Sequence, residues 1–172
     1  EHKLETVSAV RTDTTTVAAP IRAPLDSALL SDSVRVLTRL LERAQKWIPT
    51  QMPNHRRRVS HRSTSLRAPK LSKEERETLY ADLIDDTKIY VEAALFSATY
   101  LEGIDDPKAY LLSIELRTHA ERALCVVDQT ERRIFDEEKL APSQKLVSIF
   151  EPHTDILCKR NSVVYGHKVC LS

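Results

Sequence analysis

Asp13 stands in "VRTDTTTV", a run of Val and Thr with the β-branched character of a strand. An acid at the centre of such a strand is disfavoured, and two readings follow. Asp13 faces solvent or lies on an edge, or it is a metal-binding carboxylate on a rigid element. Hard divalent ions such as Mg²⁺ take carboxylate oxygens and keep several waters. A two-metal phosphoryl-transfer site needs several acids converging from different elements, with the ions about 3.5–4 Å apart. Asp13 supplies one.

A second group of possible ligands is "EPHTD", with Glu151, His153 and Asp155 inside five residues. It reads either as a ligand cluster or as turn chemistry shaped by Pro152 and Asp155. No paired histidines at helical spacing support zinc through His153 or His167. His119 lies on an apolar helical stripe, the setting of a satisfied core histidine. No strand-turn-helix nucleophile elbow is present. The two glycines, Gly103 and Gly166, cannot build a P-loop or a dinucleotide fingerprint.

The third feature is cationic. From Lys46 to Lys73 the chain carries eight Lys/Arg and no acid. Arg56, Arg57, Arg58, Arg62, Arg67 and Lys70 could neutralise phosphates, giving salt-dependent and sequence-independent attraction to nucleic acid. The competing reading is a solvated linker. Trp47 is the only aromatic nearby, so base stacking is not indicated.

The elements that must position these residues follow from pattern. The 172-residue chain, with 41% hydrophobic and 30% charged residues and a net charge of +1, has the composition of one soluble globular domain. A strand is expected over about residues 7–18. Leu30, Val34, Leu37, Leu41, Ala44 and Ile48 predict a helix from Asp26, with Asp26 or Ser31 as its cap and Pro49 as its stop. The Pro-containing stretch 49–71 reads as a basic loop or linker. Ser72 and Glu75 predict a capping box at the start of a second helix. Gly103 is placed to end it in the left-handed conformation. Asp106-Pro107 opens a third helix, which the short connection folds back as an antiparallel hairpin. "KLVSIFE" and "VVYGHKVCLS" read as strands around "KRNS". Three cysteines without CxxC spacing fit a reduced, cytosolic compartment. No apolar run reaches the roughly 20 residues a membrane span needs. Glu1 at one end and a strand at the other read as cut ends of a longer protein.

"VRTDTTTV", "PLDSALLSDSVRVLTRLL" and "KLVSIFEPHTDI…YGHKVCLS", in that order, resemble bacterial insertion-sequence transposases of the DDE type, in the ISNCY-like group. "SIFEPHTD" followed about ten residues later by "GHKV" is the most specific part. The resemblance implies a fold class that is α/β and helix-rich. Partial ribonuclease-H-like core strands are interrupted by a long helical hairpin insertion. Residues 1–48 would hold the first core strand and a helix, 49–71 the basic linker, 72–140 the hairpin, and 141–172 further core strands. It implies Asp13 as the first catalytic acid and a ligand of Mg²⁺ or Mn²⁺, with the other two acids downstream of the "GHKV" strand. It also implies DNA as partner, possible homo-oligomerisation, and a cytoplasmic, nucleoid-associated protein. One carboxylate cannot hold two metals, so the chain alone is expected to be inactive. Two rivals remain: a non-catalytic helical module that binds nucleic acid through the basic segment, and a helical hairpin that mediates association.

Overall fold

A computed structural model describes residues 13–21, 24–49, 52–159 and 162–171. It is helix-rich, with four helices and a small antiparallel sheet: β1 (Asp13–Ala18), α1 (Asp26–Ala44), α2 (Arg56–Ser65), α3 (Lys73–Glu102), α4 (Pro107–Ile134), β2 (Asp155–Lys159) and β3 (Ser162–Leu171). The expected strand over residues 7–12 lies outside the described residues.

The apolar stripes do what their spacing demands. Leu30, Val34, Leu37, Leu41 and Ala44 of α1 are buried against Leu83, Tyr90, Ala94 and Leu101 of α3 and Leu112, Leu116, Ala123 and Val126 of α4. α3 and α4 form the predicted antiparallel hairpin. α1 runs antiparallel to α4: its start meets the end of α4 through Arg133–Asp26 at 2.6 Å, and its end meets the middle through Arg43–Glu115 at 2.5 Å. The Ser72/Glu75 capping box is formed, with Glu75 N–H donating to Ser72 Oγ at 3.1 Å and Ser72 N–H to Glu75 Oε2 at 2.9 Å. Asp106 caps α4 by accepting from the Lys108 N–H at 2.8 Å, and its other oxygen accepts from Trp47 Nε1 at 3.0 Å.

Several expectations are corrected. Leu25, not Asp26 or Ser31, is the N-cap of α1, without a side-chain bond. The Asp26 carboxylate is instead taken by Arg133 and by Gln129 Nε2 at 3.4 Å. Gly103 has φ −81°, because α3 ends in tightened turns, with Gly103 and Ile104 N–H donating to Tyr100 and Leu101 carbonyls. No left-handed residue is then required. The stretch 49–71 is not a linker throughout, since residues 56–65 form α2.

"KLVSIFE" is not a strand. Side chains of α4 hold its backbone at two points: the Gln129 amide donates to Leu146 C=O at 3.3 Å and accepts from Leu146 N–H at 2.9 Å, and Arg122 donates to Ile149 C=O at 3.2 Å. Val147 and Ile149 are thereby buried. The strand of this region comes later, at β2.

The sheet order is β1-β3-β2, antiparallel throughout. β3 uses one edge at residues 166–171 to pair with β1, and the other at 162–166 to pair with β2. Gly166 is opposite both Ala18 and Asp155. A Cβ there would stand 2.0 Å from the Val17 carbonyl oxygen, so only glycine lets β1 approach this closely.

Candidate nucleic-acid interface

α2 is a helix because "RRRVSHRSTSL" hides a helical face among its arginines. Val59, Ser63 and Leu66 are spaced four and three apart and all are buried. Ser63 Oγ donates to the Ser27 carbonyl at 2.9 Å, fastening α2 to the start of α1.

Arg58 and Arg62, four apart, lie on the flank facing α3, where Asp82 and Asp86 are also four apart. Arg62 Nη2 donates to Asp82 Oδ2 at 2.7 Å, and its Nη1 reaches both the Asp82 carbonyl at 3.2 Å and Asp86 Oδ2. Arg58 holds the same carboxylate, through Nε to Oδ2 at 3.2 Å and through Nη2 to Oδ1. The Asp86 side chain is 2% exposed. Burial pushes its carboxyl up, but hydrogen bonds and charge from Arg58 and Arg62 outweigh that and hold it below the ordinary carboxylate value. The bond to Asp86 raises Arg58 in return.

His55 completes this cluster. Its backbone N–H donates to Tyr90 Oη at 2.9 Å, and the Tyr90 hydroxyl donates to the Pro53 carbonyl at 2.8 Å. His55 Nδ1 is 3.0 Å from Asp86 Oδ1 and 2.8 Å from Arg58 Nη2. A protonated Nδ1 donates to Asp86, whereas a bare one accepts from Arg58.

The six predicted cations therefore divide. Arg58 and Arg62 are committed to α3. Arg56, Arg57, Arg67 and Lys70 are exposed, and none is in an ion pair among the described residues. Arg56 and Arg57 line a groove of about 770 Å³ between α1 and α2, with Thr38, Glu42, Gln45, Ser60 and Tyr90. Arg67 lines a different cavity of about 370 Å³, beside Asp32, Arg35 and Phe150.

Asp13 opens β1, in register opposite Leu171. Glu151, His153 and Asp155 do not assemble into a ligand set: among the described residues no three His, Cys, Asp or Glu are placed to hold a metal ion. Asp155 instead begins β2 opposite Gly166. His119 is half-buried on α4. Burial first, and then the nearby Arg122, lower its pKa.

The Arg58/Arg62–Asp82/Asp86 lattice was missed in the sequence, although both spacings were there to be read. No helix among the described residues is long and apolar enough to cross a membrane. Comparison with protein-family models, with curated proteins and with solved structures finds no match.

Proposed function

We propose that this chain is part of a DDE-type insertion-sequence transposase, a protein that cuts and joins DNA strands. The observation that carries the reading is the pairing of β1 with β3. The "DTTT" and "GHKVCL" segments, separated in sequence by all four helices, are hydrogen-bonded neighbours from Asp13↔Leu171 to Ala18↔Gly166. The Asp-bearing strand is thus joined to the most specific part of the resemblance, and in this reading the α3–α4 hairpin is the insertion between core strands. A ribonuclease-H-like core is the proposed parent of this sheet.

In this reading Asp13 is one ligand of a divalent ion, Mg²⁺ or Mn²⁺. The described residues bring no further ligand set together, so they do not fit a two-metal site and no catalytic step is assigned to them. DNA is the partner, which makes the protein cytoplasmic and nucleoid-associated; a homo-oligomer is compatible with exposed apolar residues such as Phe96, Tyr100 and Leu111. The second reading, a helical nucleic-acid-binding module, is favoured by the exposed Arg56 and Arg57 and needs no chemistry.

The test uses protein expressed from the complete reading frame, with Mg²⁺ or Mn²⁺ and a duplex containing the segment's own flanking DNA. Strand cleavage that disappears in Asp13→Asn supports the transposase. Cleavage unaffected by that change overturns Asp13's role. Binding without cleavage, in both proteins, leaves the non-catalytic module.

A further inference from the structure

We infer that the groove between α1 and α2 is a track for the phosphate backbone of double-stranded DNA, gripped by Arg56 and Arg57, whereas Arg58 and Arg62 fasten α2 to α3. The inference rests on the DNA-binding reading above and names the surface that serves it.

Four arginines within seven residues look equivalent in sequence. Their positions around the helix make them different. The buried line of Val59 and Ser63 separates two flanks of α2. On one flank, Arg58 and Arg62 spend their hydrogen-bond donors on Asp82 and Asp86. A phosphate that displaced Arg62 from Asp86, a carboxylate 2% exposed, would leave a buried charge unpaired, and the half-exposed Arg58 already donates to the same carboxylate through Nε and Nη2. On the other side Arg56 and Arg57 are exposed and line an open groove.

The groove has the character a sugar-phosphate chain requires. Its volume, about 770 Å³, exceeds that of a single small anion. Its walls carry neutral hydrogen-bonding groups from Thr38, Gln45, Asn54 and Ser60 in addition to the two guanidinia. Glu42 is the one acid in the lining, so the ionised lining residues sum to one positive charge. With no aromatic in it beyond Tyr90, which is buried and bonded to Pro53, the groove offers no stacking platform. Backbone contact without base readout is therefore the expected mode.

The experiment is fluorescence anisotropy of the 172-residue chain with a labelled random-sequence duplex of about 20 base pairs, titrated between 50 and 200 mM salt. Four proteins are compared: wild type, Arg56→Ala/Arg57→Ala, the charge-matched control Arg67→Ala/Lys70→Ala, and Glu42→Gln. Circular dichroism checks that each is folded. Each lost phosphate contact lowers the slope of log K against log salt by about 0.9, so the groove variant should lose about 1.8. Over that salt range this makes the wild type's loss of affinity about tenfold larger than the variant's. The control should keep most of the wild-type slope, and Glu42→Gln should tighten binding.

Equal losses in the two double variants would show attraction by net charge alone and overturn the groove, with DNA binding intact. Binding that survives Arg56→Ala/Arg57→Ala unchanged does the same. A folded wild-type chain that binds no duplex even at 50 mM salt overturns the groove and the DNA-binding reading together.

Discussion

Arg62 and Asp86 meet across the α2–α3 contact, and the same guanidinium extends to Asp82 at 2.7 Å. Arg62 is 20% exposed and Asp86 2%. Helix α2 is polar over most of its length, and its buried residues are only Val59 and Ser63. Without the carboxylates of α3, its arginine-rich flank would face a helix that gave it no counter-charge.

Removing Asp86 should therefore be costly. Asp86→Ala is expected to destabilise the chain by about 1.5–3 kcal/mol, the range for lost hydrogen bonds to a charged group, because the arginines it leaves are partly exposed and Arg62 keeps Asp82. Urea denaturation followed by circular dichroism measures it. Arg58→Ala should cost less, because that side chain is 50% exposed and Arg62 still holds the carboxylate.

The same carboxylate predicts an acid dependence. The folded Asp86 carboxyl lies below its ordinary value, so the unfolded state binds its proton first as pH falls. The stabilisation is present above the ordinary Asp value of about 4 and is lost as pH drops through the folded one. Stability curves of wild type and Asp86→Asn from pH 7 downward should converge in acid. Parallel curves would remove Asp86 from the account.

Gly166→Ala should open the sheet at its crossing point. The added methyl meets the Val17 carbonyl at 2.0 Å, and that neighbour is backbone. Hydrogen exchange should show loss of protection in β1 and in the second half of β3, with α3 and α4 amides much less affected.

Gln129→Leu should release the segment around Leu146. It keeps a large side chain on α4 but leaves the Leu146 N–H without its acceptor. Losing this part-buried hydrogen bond should cost about 0.5–1.5 kcal/mol, and Leu146 amide exchange should rise accordingly.

Much of this was legible locally. Ser72 with Glu75, and Asp106 before Pro107, act within one turn of chain, so their types and spacing suffice. The stripes of α1, α3 and α4 have many apolar members. α2 has few: Val59, Ser63 and Leu66 are diluted by arginine, and the acids that fasten it to α3 lie 20 or more residues beyond their arginines. "KLVSIFE" has strand composition, but whether it meets a strand or the Gln129 amide is decided by tertiary contact. Asp13 was legible as an acid in a strand, and β3 as a strand. That these two pair across four helices had no local signal.

The most direct measurement is to read the coding DNA on both sides of this segment. If the proposed function holds, the open frame runs past Ser172 and encodes two further acids that would join Asp13. A frame that continues as a long protein with neither acid would contradict it.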